Sequence, residues 1–362
     1  MTEYWTFGSS ETTLVADWAR RVEAEGWDGI MFVDSQNLRA DCYIAMTLAT
    51  SVTSRLKVSP GVTNPATRHP AVSASAIAAI HEASGGRASY GIGRGDSALA
   101  YIGMKPSSLA VFERYVKAVR RYLRGERIPF EELSDAPLDL DDLHLGDQPD
   151  VSWLRWLDPA LPPVPVEVVA TGPKAIAIGG RHADIVTFTV GADLDRIAWG
   201  INEARQAAGA VGRDPAEPEF GVYVNVGCHP DIEVARRVIS GGLASFARFA
   251  AMQSAPTGPV NDQSAEVLQK IRANYDMRHH GEPNSAQTAV MSDDFIDRYG
   301  IVGEVSACAE KIRAIEALGV SKIVITPPNQ AAREAFPTES AELDGHLVKE
   351  LLPMLKNLVD KS

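Results

Sequence analysis

Cysteine is scarce: Cys42, Cys228 and Cys308 are the only three in 362 residues, far apart and in no C-x-x-C pair. An odd count without metal spacing excludes a disulfide framework and a thiolate zinc site, and reads as reduced thiols in a cytoplasmic protein. Long apolar runs are absent, and no stretch reaches the roughly 18 apolar residues of a membrane span. Dense basic runs are missing too, and the formal net charge is −12. Neither a nucleic acid nor an anionic membrane surface is an expected partner for such a chain. The segment Met1-Thr2-Glu3-Tyr4 lacks the basic and apolar regions of a signal peptide. No G-x-S-x-G elbow and no H-E-x-x-H pair occurs, so hydrolase chemistry has little support.

What is present is a regular alternation of strand and helix patterns. Short apolar runs at Tyr4–Phe7, Gly29–Val33, Leu56–Pro60, Ala88–Ile92, Pro165–Ala170, Asp184–Val190, Phe220–Val226 and Lys322–Thr326 read as strands. Helical spacing marks Thr12–Glu25, Asp41–Ser51, Ala71–Ala83, Leu109–Leu123, Pro173–Arg181, Leu194–Ala208, Ile232–Met252, Glu304–Leu318 and Ser340–Leu358. Ser10 or Thr12 is the expected cap of the first helix and Gly26 its stop, and Pro353 should break the last. Strict alternation implies parallel pairing, and eight units close into a (β/α)8 barrel; a doubly wound open sheet is the alternative. One domain over 1–362 is expected. Insertions at about 125–163, placed at the barrel mouth, and 254–300 interrupt it, being too long for ordinary connections.

Several loops after strands carry residues suited to a site. Gly61-Val62-Thr63-Asn64-Pro65 and Arg68-His69-Pro70 specify an unusual backbone path. Gly93-Arg94-Gly95-Asp96 allows close backbone approach to a planar or phosphorylated ligand. Its G-x-G-x-G spacing after the fourth strand does not match a dinucleotide fingerprint; a plain turn with Asp96 as helix cap is the competing reading. Ala170-Thr171-Gly172-Pro173 is a strand, a turn and a helix start, offering N–H groups at the positive end of a helix. Simple capping explains it equally well. Asp34-Ser35 follows the second strand, where a barrel places ligand-binding acids; Arg68 and His69 are expected to hold their loop. His279-His280 is not read as a metal site, because adjacent histidines on a helix diverge. Tyr4, Trp5, Phe7, Trp153 and Trp156 suggest an aromatic mouth, with core packing as the alternative.

Together these loops resemble the bacterial luciferase-like flavin and deazaflavin oxidoreductase superfamily, and within it the methylenetetrahydromethanopterin reductase-like branch, whose members use coenzyme F420 or FMN. The resemblance implies a cis peptide between Gly61 and Val62 in a bulge backing the ring. Asp34, Thr63 and Asn64 would line the ring. Gly93, Arg94 and Gly95 would meet its pyrimidine side or ribityl chain, and Ala170, Thr171, Gly172 and Pro173 its edge and phosphate region. Asp34 is the candidate catalytic group, with Ser35, Phe7 and Trp5 toward the substrate. The chain departs from the pattern at Ser35, where the deazaflavin dehydrogenases and pterin reductases carry histidine.

Three functions follow from the resemblance. The first is hydride transfer between coenzyme F420 and a small organic substrate, as a reductase rather than an alcohol dehydrogenase. The second is an FMN-dependent monooxygenase supplied with reduced flavin by a partner reductase. The third is a non-catalytic flavin-binding barrel. A homo-oligomer is expected, and no metal.

Overall fold

The structure, a computed structural model, describes residues 2–8, 10–133, 149–252 and 255–357. Residues 134–148 and 254 of the two expected insertions, Ser9, and Leu358 of the last expected helix lie outside the described residues. Eleven strands are described: β1 (Glu3–Gly8), β2 (Gly29–Phe32), β3 (Lys57–Pro60), β4 (Tyr90–Ile92), β5 (Ile128–Pro129), β6 (Val151–Ser152), β7 (Val166–Ala170), β8 (Ile185–Phe188), β9 (Glu219–Cys228), β10 (Ile301–Gly303) and β11 (Lys322–Thr326).

Eight of these run parallel in the order β3-β2-β1-β11-β9-β8-β7-β4. Two parallel bridges, Val58 to Ala88 and Thr63 to Ile92, bring β3 back to β4. This is the expected (β/α)8 barrel rather than an open sheet. Its strands are Val- and Ile-rich because one face packs on helices while the other fills the interior. Ile30, Val58, Val168, Val222 and Ile323 share one core with helical residues such as Ala19, Met46, Ile77 and Ile312.

The closing bridges are unevenly spaced. The chain takes five steps on the β3 side, from 58 to 63, and four on the β4 side, from 88 to 92. One extra residue is therefore accommodated at Pro60-Gly61-Val62, which is the count of a β-bulge. The Gly61–Val62 peptide is cis, as the resemblance implied. Glycine is required on both sides of this seam. A Cβ on Gly61 would lie 2.7 Å from Met31 Cβ, and one on Gly91 2.2 Å from the Pro60 carbonyl oxygen.

Several expectations are corrected. Leu14, not Ser10 or Thr12, occupies the N-cap of the first helix, Val15–Ala24, and no side chain caps it. Ser10 instead donates to the Val33 carbonyl, 2.6 Å away, tying the β1 loop to the end of β2. The C-terminal helix starts earlier, at Pro337, and changes to a π-helical turn over Leu347–Leu351 before Leu352–Leu355. That wider turn makes room for Pro353, whose ring cannot follow an ordinary helical turn.

The described parts of the insertion after residue 125, residues 126–133 and 149–163, lie at the other end of the barrel. The insertion leaves from the C-terminal end of helix Leu109–Tyr122, and helices in this fold run from the mouth back to the strands' N-terminal face. Its hairpin β5–β6 is tied there by Tyr122, which donates to Ser152 (2.6 Å), and by contact of His81 with the Pro162 carbonyl. The described residues of 229–304, by contrast, follow the C-terminal end of β9 and belong to the mouth. The helix expected to flank the barrel, Ile232–Ala251, is part of this cover. Its Val238, Leu243 and Ala247 form a second apolar cluster with Leu268, Ile271 and Phe295. β10, which the sequence pattern did not reveal, pairs with the overhanging end of β9.

The barrel interior holds a buried ion pair. Lys322 Nζ lies 2.6 Å from Glu167 Oε2 with side chains 5% and 0% exposed. Thr187 donates to the other Glu167 oxygen at 2.6 Å, and the Lys322 ammonium sits 3.7 Å from the Trp5 ring centroid. Leaving one charge unpaired there is costly. Glu167→Ala is expected to lower stability in urea denaturation by about 3–5 kcal/mol, with Glu167→Leu/Lys322→Met recovering most of it. A single-substitution loss under about 1 kcal/mol would mean that Lys322 finds water or another partner.

Candidate active site

The C-terminal ends of the strands meet under the 229–304 cover. Thr63 anchors the rim: its N–H donates to Gly91 O (3.1 Å) and its carbonyl accepts from Gly93 N–H (3.0 Å). A Cβ on Gly93 would stand 3.0 Å from Val62 Cγ2 and 3.7 Å from the Val169 carbonyl, so the β3, β4 and β7 ends converge there. Gly95, at φ +83°, faces Asn64 across 3.1 Å from its ideal Cβ. Arg94 Nε folds back onto the Ser107 carbonyl at 2.8 Å. At the next strands, Thr171 and Thr189 hydroxyls are 2.5 Å apart. Gly172 is the N-cap of helix Pro173–His182 with no capping side chain, and Pro173 takes the first turn. A Cβ on Gly172 would meet nothing closer than Thr257 Oγ1 of the cover, at 4.0 Å.

Asp34 is buried, and both its oxygens accept hydrogen bonds: Oδ1 from Gln36 Nε2 at 2.7 Å and Oδ2 from Arg68 Nη1 at 3.4 Å. Arg68 also pairs with Asp41 and lies 4.6 Å over the Tyr43 ring, while Tyr115 donates to its carbonyl. Arg68 thus pins the 61–70 loop to the β2 end. His69 caps helix Pro70–Ala83, its Nδ1 accepting from Ala71 N–H at 3.2 Å, and faces solvent. Asp96 does not cap the short helix after it; it pairs with Arg248 of the cover.

Three polar atoms at this rim are buried and without a hydrogen-bond partner: Ser35 Oγ, Thr63 Oγ1 and Asn64 Nδ2. Such atoms cost about 1–3 kcal/mol each when left unsatisfied. They fit a ligand that presents donors and acceptors along a flat edge, as a (deaza)flavin ring does.

The aromatic mouth is built from other residues than the sequence suggested. Tyr4 faces outward, its hydroxyl bonded to Glu316. Trp5 is 3% exposed and fills the barrel interior below the mouth, its indole N–H donating to Glu3. Trp153 lies between Arg127 and Arg155 near the β5–β6 hairpin at the far end, and Trp156 is exposed close by in the chain. Only Phe7 of the five reaches the site. Its ring is 6.0 Å from Tyr223, which stacks at 5.7 Å on Phe246 of the cover. Surface clefts beside His229 and His346 are lined by none of the strand-end loop residues named above.

The sequence profile of the luciferase-like monooxygenase family matches residues 8–322. The chain belongs to that family. Within it, 5,10-methylenetetrahydromethanopterin reductase of Methanolobus tindarius is 25% identical over 330 residues, covering 89% of this chain and 94% of the relative. A phthiodiolone/phenolphthiodiolone dimycocerosates ketoreductase of a Mycobacterium species is 30% identical over 191 residues, 49% of this chain and 45% of that one. The solved coenzyme F420-dependent tetrahydromethanopterin reductase of Methanopyrus kandleri superposes with a TM-score of 0.68 at 19% identity, covering 98% of this chain and 99% of that structure. At that identity the likeness establishes the fold: this family member is a luciferase-like TIM barrel.

The cover is tied to the barrel by the β9–β10 pairing, by Arg298 on Asp193 and by Arg196, which donates to the Thr257 and Pro259 carbonyls, and it is also braced within itself. Tyr101 donates to the Met277 carbonyl (2.8 Å), Arg248 lies 4.7 Å over the Tyr275 ring, and the Tyr275 hydroxyl meets His280 Nδ1 at 2.6 Å. Burial, and then Arg248, pull His280 down from 6.5 to about 4. Its folded form therefore stays neutral while the opened segment takes a proton. Cover stability is fully present above pH 6.5 and is lost as pH falls toward 4. Amide exchange over 275–281, corrected for intrinsic rate, should be faster at acidic than at neutral pH, and His280→Asn should abolish the difference. An unchanged difference in the variant would assign it to another group.

Proposed function

We propose that the protein is an oxidoreductase that transfers a hydride between coenzyme F420 and a small organic substrate, acting as a reductase. The observation that carries this is the pair of buried, unpartnered atoms Thr63 Oγ1 and Asn64 Nδ2 directly after the Gly61–Val62 bulge, with unpartnered Ser35 Oγ just beyond the end of neighbouring β2. The Methanolobus relative, a reductase by name and aligned over 94% of its length, supports the direction of reaction. The Methanopyrus structure, described as F420-dependent, supports the cofactor.

When bound, the deazaflavin supplies a carbon that gives or accepts a hydride. The chain's own residues do the rest. Gly61 and Val62 back the ring, Thr63 and Asn64 satisfy its polar edge, and Asp34 orients the loop through Arg68. The Gly93-Arg94-Gly95 loop and the Thr171-Gly172-Pro173 turn take the side chain and phosphate. In a chain of net charge −12, Arg94 and exposed Lys174 supply the local positive charge that an anionic cofactor needs. The cover excludes water, which strengthens every polar contact beneath it.

Reduction is favoured over alcohol oxidation because no imidazole stands at the proton-handling position. Ser35 has no titration near neutral pH, His69 is turned out to cap a helix, and His280 is bonded to Tyr275. The protein should therefore not reduce F420 with propan-2-ol, followed by loss of the deazaflavin absorbance band. Rapid bleaching with a bell-shaped pH dependence in the histidine range would contradict this.

Gly172 gives the cleanest affinity test, since a side chain there projects into open space toward Thr257 rather than into protein. Gly172→Val should weaken F420 binding at least about tenfold, or ~1.4 kcal/mol, with an unchanged melting temperature. Equal affinity for F420 in variant and wild type would move the phosphate region elsewhere. Selective binding of FMN over F420 in the same titration would favour a monooxygenase fed by a partner reductase.

A further inference from the structure

One buried polar group at the mouth is left over by this assignment. Tyr223 is 4% exposed, and its hydroxyl has no hydrogen-bond partner. It stands 3.2 Å from where a Cβ on Gly61 would be, directly at the β3 bulge. Phe7 meets its ring edge-on and Phe246 stacks on it. Met31 and Val324 complete an apolar lining. A phenol serving only as packing would be better replaced by phenylalanine, because an unpaired buried hydroxyl costs free energy that a phenyl ring does not.

We propose that Tyr223 is a catalytic hydrogen-bond donor to the carbonyl oxygen of a neutral, apolar α,β-unsaturated ketone, whose carbon skeleton lies against Phe7 and Phe246. The charges closest to this lining, Lys322 and Glu167, are paired with each other, which leaves none for an ionic substrate, and the unpaired Tyr223 hydroxyl suits a single oxygen acceptor. Burial, and then the nearby Glu167 carboxylate, push the phenol well above its ordinary range, so it stays protonated and donating across the working pH. This inference rests on the F420-reductase reading above.

Hydride from the reduced deazaflavin adds to the β-carbon and forms a C–H bond. The C=C π pair shifts to make the enolate, and negative charge gathers on oxygen, where the Tyr223 O–H bond to it strengthens. A water admitted from solvent then protonates the α-carbon, giving the saturated ketone, and the hydroxide left is neutralised by the proton that the deazaflavin would shed after losing its hydride. Tyr223 keeps its proton throughout and acts as an oxyanion donor.

The test compares wild type with Tyr223→Phe, using cyclohex-2-enone and reduced F420. Removing one oxyanion donor should lower kcat about 100-fold or more. F420 affinity should hold within twofold, and the melting temperature without ligand should be equal or higher. With oxidised F420 bound, the enone carbonyl infrared band should move to lower frequency in wild type and not in the variant. A kcat within threefold of wild type, an unshifted carbonyl band, or a lower melting temperature in the variant would overturn the proposal. So would a wild type that binds F420 yet neither binds nor reduces cyclohex-2-enone, which leaves the cofactor reading standing. Failure of wild type to bind F420 would remove that reading itself.

Discussion

The site depends on how the barrel closes. Between β3 and β4 the ladder is replaced by two bridges with one extra residue between them on the β3 side. That residue turns the backbone of Gly61 and Val62 into the mouth, where an ordinary strand would have continued pairing. The closure demands glycine at 61 and 91, whose places leave no room for a side chain. It also sets the Thr63 backbone between Gly91 and Gly93, leaving the Thr63 and Asn64 side chains buried and without protein partners. A local constraint on strand register thus produces a rigid surface with unmet hydrogen-bonding capacity, which is what a planar cofactor requires.

Above that floor lies the cover. The 229–304 segment is tied to the barrel by the β9–β10 pairing, the Asp96–Arg248 and Arg298–Asp193 pairs, the Arg196 bonds to the Thr257 and Pro259 carbonyls, the Phe246–Tyr223 stack and the Tyr101–Met277 hydrogen bond. Its own apolar cluster is separate from the barrel core. That cluster, which also takes in Ala332 and Leu343, keeps the core of the cover distinct from the strands that carry the bulge. The buried Lys322–Glu167 pair lies beneath, in the interior, where it fixes β7 against β11. Floor, interior and cover therefore carry different duties on one fold.

Much of the barrel was legible because buried parallel strands are written as short apolar runs, and the eight barrel strands follow them closely. β10 was not, since Ile301-Val302-Gly303 is too short to stand out. The position of the 125–163 insertion was misread, although chain order alone contains the answer: a segment after a helix belongs to the strands' N-terminal face. The glycine loops of the site were legible because glycine, proline and asparagine mark unusual backbone. Tyr223 was not, because Phe220–Val226 is apolar almost throughout and inward cannot be told from outward without the register. Phe246 and Arg248 were hidden by reading their helix as part of the barrel wall. The Asp34–Arg68 bond spans 34 residues of sequence, beyond any local pattern.

The central claim is that the Gly61–Val62 bulge is the seat of a deazaflavin ring. A crystal structure of the protein soaked with coenzyme F420 tests it most directly. The account predicts ring density against Gly61 and Val62, within hydrogen-bonding distance of Thr63 Oγ1 and Asn64 Nδ2, with the phosphate toward Thr171 and Gly172. Density for the cofactor elsewhere on the molecule, or a ring placed so that Thr63 and Asn64 stay unpaired, would contradict it.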